Sequence, residues 1–530
     1  MNGDSPLARL AVTHGIEPGY HDIWGNYHAL SEDAARTLLA AMGVAADDDE
    51  DTERALGAHA AAMWARLLPP VCVRREDEGP WLALTCSDRE AGATLEWRLR
   101  LEDGSEHSGT CAPPQLDVIE QSQRDGEPWS RRRLLLDCTP PPGYHTLSVT
   151  LGGRAGQTTL IITPRRCWPA PAAEAGRGRP WGVALQLYGV RSARNWGIGD
   201  LGDLGEAVTL FGTLGADLIG INPLHALYPD EPERASPYSP SSRRFANPLY
   251  LHIEAIPEFA DCSAVHSMVD APEFQASLQR VRAAELVDYV GVAALKWPVL
   301  RELYAHFRAR HLDHDTARAA DFRGYQVGGG EALRRHTAFE VLHAEYGSGP
   351  WPEELLDADA PAVAEFARVH SEDIEFHEYL QWLLESQIAD VAARARESGM
   401  RIGLYRDLAV GSDAFGADIW SAKPAYAPGI SIGAPPDDFS LQGQVWGLPP
   451  WLPSYLRESA YVDFIAALRA NMRSSGALRI DHVIGMMRQF WVPSGDTAAH
   501  GAFVRCPIED LLGIVALESV REQCLIVGED

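Results

Sequence analysis

The spacing of hydrophobic positions divides this chain of 530 residues into parts of different texture. In residues 1–66 the apolar positions recur at helical spacing. The segment from Ser31 to Gly43 starts on a good N-cap residue and stops at a glycine, which is typical of a helix C-terminus. Residues 67–163 instead carry short alternating runs separated by Gly, Pro and Asp, which predict an antiparallel β-sandwich domain. We expect that domain to pack on the rest of the chain, and the alternative is a ligand-binding role.

A stretch rich in Pro, Ala, Arg and Gly at residues 164–180 predicts a linker. After it, strands alternate with helices, and a helical insertion occupies about residues 260–396. Five apolar runs predict strands, at residues 181–190, 218–222, 401–410, 478–483 and 525–528. The fold class is therefore α/β, with a (β/α)8 TIM-barrel catalytic domain over residues 181–530, preceded by the helical segment and the β-sandwich.

Residues 477–485 read A-L-R-I-D-H-V-I-G and predict a buried strand. Because side chains alternate along a strand, Arg479 and Asp481 point to one side and Ile480 to the other. The adjacent positive charge is expected to lower the pKa of Asp481 and to hold its carboxylate ionised. Taken alone, an arginine two residues from an aspartate is most often a structural ion pair.

A second apolar run, residues 524–530, ends in Gly528 and then Glu529. Neighbouring strands lie about 4.8 Å apart, so side chains from adjacent strand ends reach separations of about 5–5.5 Å, the spacing of retaining glycoside chemistry. Asp481 and Glu529 are therefore the predicted catalytic pair.

The loop at residues 236–251 contains three prolines and four serines, which predict an irregular, non-helical segment. It carries Tyr238, Phe245 and Tyr250. Aromatic rings with hydroxyl groups suit sugars, because they cover the apolar face and hydrogen-bond to the rim. A plain surface turn is the alternative.

A second loop, residues 433–451, is stiffened by four prolines and falls directly before the Asp481 strand. It carries acidic, amide and indole side chains, at Asp437, Gln442, Gln444, Trp446 and Trp451. Such a segment suits a lid over a polysaccharide groove. A packed connector with its tryptophans in the core is the alternative.

Three other patterns receive structural interpretations. Residues 197–202 match G-x-G-x-x-G, but the next strand ends in Asn222–Pro223 without the acidic residue of a dinucleotide site, so these glycines are expected to shape a loop at the barrel mouth. Arg406 and Asp407 at the end of the third strand are interpreted as supporting residues. No histidine cluster has metal spacing, so neither metal nor cofactor is predicted.

The amino-acid composition and charge limit the classes of binding partner. The formal charge of −28 disfavours nucleic acid and anionic membranes, and no run of 18 apolar residues predicts a spanning helix. The first residues lack the pattern of a signal peptide. Eight cysteines without metal spacing indicate free thiols in a reducing cytoplasm. The sequence indicates no oligomeric state.

Four motifs together resemble the amylomaltases, the bacterial 4-α-glucanotransferases. They are R-I-D-H at 479–482, G-E-D at 528–530, the S-P-Y-S-P-S-S-R…N-P loop at 236–248, and G-A-P-P-D…G-Q-x-W-G-L-P-P at 433–450. The similarity runs from about residue 180 to the last residue, and the front part resembles the long type with an extra N-terminal region.

The resemblance implies a double displacement on maltooligosaccharides and α-1,4-glucans. Asp481 would be the nucleophile and Glu529 the acid/base, with a pKa raised in part by the Asp481 charge. Arg479 would keep Asp481 ionised and aligned, and His482 would contact the sugar.

The resemblance also implies a substrate groove and a missing part. Tyr238, Asp437 and Trp446 lie in motifs that line the glucan groove in the family. The family's third carboxylate belongs to a later His-Asp motif, and only about five of the eight barrel strands are present here. The chain is therefore interpreted as a fragment that is inactive and poorly stable. The competing hypotheses are an α-glucan hydrolase of the α-amylase type and a non-catalytic maltodextrin-binding fragment.

Overall fold

The computed structural model describes residues 5–124, 126–171 and 178–530. The N-terminal region consists of short helices and a two-stranded ribbon: α1 (Pro6–Thr13), β1 (Gly19–His21), β2 (Tyr27–Ala29), α2 (Glu32–Ala41) and α3 (Asp49–Ala65). Ser31 caps α2 as predicted, because its hydroxyl accepts a hydrogen bond from the Ala34 N–H at 3.1 Å. Residues 1–4 of the predicted helical segment lie outside the described residues.

Eight strands form the β-sandwich: β3 (Val71–Arg75), β4 (Trp81–Ser87), β5 (Leu95–Arg100), β6 (Glu106–Cys111), β7 (Val118–Arg124), β8 (Glu127–Leu135), β9 (Gly143–Leu151) and β10 (Arg154–Thr163). They make two sheets, of order β3-β10-β9-β5-β6 and β4-β8-β7. Because side chains alternate along each strand, one face of each sheet is buried against the other sheet. Leu84 from the smaller sheet and Leu147 and Leu160 from the larger are fully buried in one core.

Residues 178–530 contain eleven further strands: β11 (Gly182–Leu185), β12 (Leu218–Ile221), β13 (His225–Ala226), β14 (Ser242–Ala246), β15 (Gly403–Leu408), β16 (Ile430–Ala434), β17 (Gln444–Val445), β18 (Ala477–Ile480), β19 (Arg488–Pro493), β20 (Ala502–Arg505) and β21 (Leu525–Gly528). Five of these are the predicted barrel strands, and they form one parallel sheet of order β11-β12-β15-β18-β21. Strands that follow sequence order with parallel neighbours are the wall of a (β/α)8 barrel.

The helices of the same domain cover that sheet and build the insertion: α4 (Leu201–Thr213), α5 (Ser263–Val269), α6 (Pro272–Ala283), α7 (Tyr289–Arg310), α8 (Ala317–Tyr346), α9 (Pro361–Val369), α10 (Ser371–Glu397), α11 (Ala417–Ser421), α12 (Pro453–Glu458), α13 (Val462–Met472) and α14 (Ile508–Glu522). Among the described residues, none of the helices combines the length and the apolar content that crossing a membrane requires.

Three predicted segments differ in the structure. The strand predicted at 478–483 ends at Ile480, and a 3₁₀ turn begins at Val483. The first barrel strand is shorter than the predicted run 181–190, because a 3₁₀ turn begins at Leu187 after only four strand residues. The loop at residues 236–251 was expected to be wholly irregular, and this is wrong: it contains β14, paired with β13, and a 3₁₀ turn at Pro248–Tyr250. Residues 172–177 of the predicted linker lie outside the described residues.

The glycine motif at residues 197–202 forms the start of α4. Asp200 caps the helix by accepting hydrogen bonds from Gly202 and Asp203, whose side chain bonds back to the Asp200 N–H at 3.0 Å. Arg194 binds both carboxylates, at 2.6 and 2.8 Å. The motif therefore forms a capped loop, as the sequence predicted. Its two acidic side chains are neutralised by Arg194.

The β-sandwich packs on α14, as expected. Val71, Val73 and Ile161 of its larger sheet share a core with Ile514 and Val515 of that helix. An ion pair between the side chains of Arg521 and Glu102 lies at the edge of the contact. Because β21 follows α14 directly, the sandwich supports the helix that leads into the Glu529 strand.

Candidate active site

Three neighbouring strands of the parallel sheet bring polar side chains to one edge. Asp407 ends β15, Arg479 lies in β18, and Glu529 follows β21. The register sets Asp407 opposite Arg479 and Arg479 opposite Val527. Carboxyl ends of parallel strands are the functional edge of a (β/α)8 barrel, so these side chains meet where catalysis takes place in that fold.

Arg479 is the centre of the cluster. Its Nη1 donates to both carboxylate oxygens of Asp407, at 2.7 and 2.9 Å. Its Nη2 lies 2.8 Å from Asp481 Oδ1 and 3.4 Å from Glu529 Oε2. One guanidinium therefore faces three carboxylates, with the predicted catalytic pair sharing a single nitrogen.

The shared nitrogen fixes how far apart the two carboxylates can be. The two oxygens bound to it are at most about 6 Å apart, compatible with the separation of about 5–5.5 Å that retaining glycosidases use. The side chain of Asp481 is 18% exposed and that of Glu529 43% exposed, so both reach the open edge of the sheet.

Charge and burial compete at Asp481. Burial raises the pKa of the Asp481 carboxyl, and the nearby Asp407 and Glu529 charges raise it further, while Arg479 lowers it. The net direction is upward. The arginine acts in the predicted sense, but the expectation that it sets the net pKa of Asp481 is wrong, because desolvation is larger.

Asp407 contacts more residues of the site than its sequence context predicted. Its side chain is 7% exposed, and Tyr238 donates its hydroxyl proton to Asp407 Oδ2 at 3.0 Å. Burial raises the pKa of the Asp407 carboxyl, against the lowering effect of Arg479. The supporting role inferred for Asp407 agrees with these contacts, but only the strand register reveals its partner.

His482 connects the strand end to the lid loop. It adopts a left-handed backbone with φ of +51°, and its N–H donates to Glu529 Oε2 at 3.1 Å. Its ring stands edge-on to the Trp446 indole, with the centroids 5.2 Å apart. Burial lowers the pKa of His482, so the neutral ring is favoured. The sequence predicted a sugar contact for His482, and that stays a prediction.

Trp446 and Asp437, the two predicted groove residues of the lid loop (residues 433–451), lie in different surroundings. Trp446 reaches the site through His482. Asp437 instead accepts the N–H groups of Phe439 and Ser440, at 2.9 and 2.6 Å, and so shapes the loop turn. Phe439 is 99% exposed at the tip. Within the described residues, the hydrogen bonds of Asp437 stay inside its own loop.

Three aromatic residues of the two loops lie away from the site. Tyr250 is 5% exposed, and its hydroxyl accepts a hydrogen bond from Asn222 at 3.0 Å, so its proposed sugar contact is wrong. Phe245 stacks on His336 at 4.1 Å. Trp451 packs beside Phe464 in the core, which agrees with the packed-connector alternative for that residue.

One group of potential metal ligands forms that sequence spacing did not reveal. Ligand atoms of Asp230, Glu231 and His343 lie within 4.8 Å of one another. His343 Nδ1 bonds Asp230 at 2.8 Å, and Glu231 pairs with Arg234 at 3.2 Å. The group is outside the Arg479 cluster, and these internal contacts account for its arrangement.

Family models match both the β-sandwich and the barrel domain of this chain. A family model described as 4-alpha-glucanotransferase matches residues 185–530, and one described as MalQ N-terminal beta sandwich domain matches residues 67–164. A 4-alpha-glucanotransferase of Haemophilus influenzae is 41% identical over 401 residues, covering 74% of this chain and 57% of that protein. One of Mycobacterium tuberculosis is 35% identical over 546 residues, covering 99% of this chain and 72% of that protein.

Solved structures show the same fold. The amylomaltase of Corynebacterium glutamicum superposes with a TM-score of 0.83 at 30% identity, covering 99% of this chain and 72% of that one. The Streptococcus agalactiae amylomaltase, solved with acarbose, has a TM-score of 0.54 at 20% identity, covering 66% of this chain and 69% of that one.

The parallel sheet and its neighbours among solved structures place the chain in the class of (β/α)8-barrel domains. Within it, the chain belongs to the 4-alpha-glucanotransferase family. The chain spans 57% of the Haemophilus relative and 72% of the mycobacterial one.

Proposed function

We propose a 4-α-glucanotransferase function, in which the Arg479 cluster transfers α-1,4-glucan segments between maltooligosaccharides by a retaining double displacement. The observation that carries the proposal is that one nitrogen of Arg479 contacts both Asp481 and Glu529. Family membership and the names of the relatives support the reaction class. The Streptococcus agalactiae amylomaltase, which has the same fold, was solved in complex with acarbose.

In the first step, Asp481 attacks the anomeric carbon of the donor glucan while Glu529 donates its proton to the glycosidic oxygen. The carbon–oxygen bond of the glycoside breaks, an ester bond to Asp481 forms, and the leaving chain departs with a new 4-hydroxyl. In the second step, Glu529 takes the proton of an acceptor 4-hydroxyl, whose oxygen displaces Asp481. Two inversions retain the α configuration.

The surrounding groups fit these two roles. Asp481 must be ionised to attack, and Arg479 supplies the charge that opposes the effect of its burial. Asp407, which accepts the Tyr238 hydroxyl, binds the other terminal nitrogen of Arg479 and holds the guanidinium in place. The N–H of His482 holds one oxygen of Glu529, which leaves the other free for the glycosidic oxygen.

Transfer instead of hydrolysis requires that an acceptor sugar outcompetes water. The loop from Ala434 to Trp446 rises beside His482, and its tip residue Phe439 is free to cover a bound glucan. A closed lid excludes solvent while the glycosyl-enzyme exists. This arrangement favours the transferase over the hydrolase hypothesis.

The test is incubation with maltotriose, with products resolved by size, using both the 530-residue chain and the protein purified from the organism that encodes it. Glucose together with maltopentaose and longer chains is the expected result for the purified protein. Glucose and maltose alone would indicate a hydrolase. Binding without turnover, unchanged in affinity by Asp481→Asn, would indicate the binding-only alternative. Transfer products from the 530-residue chain would show that these residues suffice for the reaction.

We also propose a cytoplasmic location and a neutral glucan as the only class of substrate. All eight cysteines are free thiols, four of them buried, and the formal charge is −28. Those features support a reducing compartment and weigh against nucleic acid as a partner. Fractionation of cells of the source organism, with detection of this protein, tests the location.

A further inference from the structure

A sizeable cavity lies away from the Arg479 cluster. Its volume is about 860 Å³, and it is enclosed by α8, α10, α13 and β14, with residues of the β-sandwich at one end. Arg406 of β15 lines it. Because side chains alternate along a strand, Arg406 and Asp407 point to opposite faces of β15. The cavity therefore lies on the outer face of the barrel sheet, behind the carboxylates.

The charge of the cavity wall is opposite to that of the protein. Two carboxylates line it, Glu102 and Glu385, against a set of five arginines, Arg243, Arg244, Arg406, Arg469 and Arg473. The whole chain carries a formal charge of −28. A concave basic wall on an acidic protein is where an anion is attracted and retained.

Three of the arginines have acidic partners. Arg469 binds Glu518 at 2.8 Å, and Arg473 binds Glu385 at 2.8 Å. Arg244 lies 3.7 Å from Asp463. Their positive charge is thus largely balanced within the protein.

The two innermost arginines, Arg243 and Arg406, differ from the other three. Arg243 and Arg406 are 5% and 7% exposed, and within the described residues neither has a carboxylate at ion-pair distance. Arg406 donates only long hydrogen bonds, 3.3 Å to the Ala470 carbonyl and 3.4 Å to Asn471 Oδ1. Arg243 donates through Nη1 to the Ala409 and Val410 carbonyls, at 3.1 and 2.8 Å. The Nε atom of each arginine is buried without an acceptor among the described residues. A buried guanidinium without a counter-charge is costly, and a bound anion would supply that charge.

The wall of α8 keeps the space open. Gly324 and Gly328 lie one helical turn apart on the side of the cavity, and a Cβ at either position would meet no atom within 4 Å. Glycine inside a helix costs about 1 kcal/mol relative to alanine. The aromatic rings of Phe245 and Tyr325 line the same space, and they offer apolar surface to the organic part of a ligand.

We propose that this cavity binds a small phosphate monoester, with the phosphate drawn to the Arg243 and Arg406 side and the organic part against α8. The volume lies in the range of about 300–1,000 Å³ typical of small-molecule sites. The proposal does not depend on the glucan transfer reaction, because the cavity shares no residue with the Arg479, Asp481 and Glu529 cluster.

Calorimetric titration of the purified protein tests the proposal, with glucose 1-phosphate, adenosine monophosphate and inorganic phosphate as probes and glucose as the uncharged control. At least one phosphate monoester is expected to bind more tightly than inorganic phosphate, and glucose is expected not to bind the cavity. Binding of inorganic phosphate alone would overturn the monoester assignment. No binding by any probe would overturn the site.

Two charge variants separate ligand binding from a structural role. Arg473→Gln removes a positive charge from the wall and is expected to weaken probe binding about three- to tenfold, whereas Glu385→Gln removes its acidic partner and is expected to strengthen binding by a similar factor. A purely structural ion pair would give the same direction of change in both variants, and that result would contradict the proposal.

A steric variant locates the ligand. Gly328→Leu is expected to fill the cavity and reduce probe binding at least tenfold while maltotriose turnover is retained. The matched control is Val327→Leu, one residue away and 83% exposed, which is expected to leave probe binding unchanged. Equal binding by both variants would place the ligand elsewhere and overturn the site.

Discussion

Arg479 and Asp407 lie directly opposite each other in neighbouring parallel strands, and one nitrogen of Arg479 donates to both carboxylate oxygens of Asp407. This leaves the other terminal nitrogen of Arg479 for Asp481 and Glu529. Asp407 therefore fixes the guanidinium that aligns the proposed catalytic pair. The proposed reaction therefore depends on this cross-strand pair as well as on Asp481 and Glu529.

Replacement of the proposed nucleophile is expected to abolish transfer. Asp481→Asn keeps the shape of the side chain but cannot form the glycosyl ester, so we expect kcat on maltotriose to fall at least about a thousandfold. Asp390→Asn, the same chemical change at an exposed position of α10, serves as the control and is expected to retain full activity. Retained turnover in Asp481→Asn would exclude Asp481 as the nucleophile.

The pH dependence of kcat/KM is expected to report on Asp481. The carboxyl must be ionised to attack, so activity is lost as the pH falls through its pKa, which burial places above the ordinary aspartate value. Arg479 lowers that pKa, so Arg479→Gln is expected to move the acid limb to higher pH and Arg479→Lys to move it less. An acid limb that stays in place or moves to lower pH in Arg479→Gln would contradict this account.

The hydroxyl of Tyr238 is expected to act through Asp407. Tyr238→Phe removes one hydrogen bond from that carboxylate, and we expect kcat/KM to fall about tenfold while the midpoint of thermal unfolding changes little. Tyr27→Phe removes an exposed hydroxyl in the N-terminal region and is the control for the substitution itself. If Tyr238 instead contacts only the sugar, Tyr238→Phe will change KM and leave the acid limb of the kcat/KM pH profile in place. That outcome would contradict a role through Asp407.

The glycine motif is expected to matter for stability and not for nucleotide binding. Asp200→Ala removes the cap of α4 and a partner of Arg194, so we expect the free energy of unfolding to fall by about 2–4 kcal/mol. Ser31→Ala removes a cap that has no ion pair, and about 1 kcal/mol is expected there. Urea unfolding of both variants measures the difference. Equal losses would mean that the Arg194 pair adds nothing.

The local features of the chain were predictable where one short-range signal dominated. Hydrophobic runs located all five barrel strands, and Ser31 predicted the start of α2, because burial and helix capping act over a few residues. The shared face of Arg479 and Asp481 followed from the two-residue period of a strand. The motif at residues 197–202 was predicted to shape a loop, and it forms the capped start of α4.

Other features depended on partners distant in sequence. Tyr238 binds Asp407, which is 169 positions away, and the pKa of Asp481 depends on burial that the sequence does not display. Tyr250 was expected at the sugar site but is buried against Asn222. The cavity bounded by Gly328 and Arg406 is assembled from helices and strands that sequence spacing does not relate.

The sequence by itself thus determined the family, the five parallel strands and the two carboxylates proposed to react, since each depends on a motif or a period of a few residues. The tertiary structure decided that Arg479 joins those carboxylates to Asp407. It also decided that a cavity on the outer face of the same sheet is lined by two buried arginines that have no carboxylate partner among the described residues. The physical reason is that electrostatic partners and cavity walls are set by the register and packing of distant segments. A periodic pattern fixes only which face of its own segment is buried.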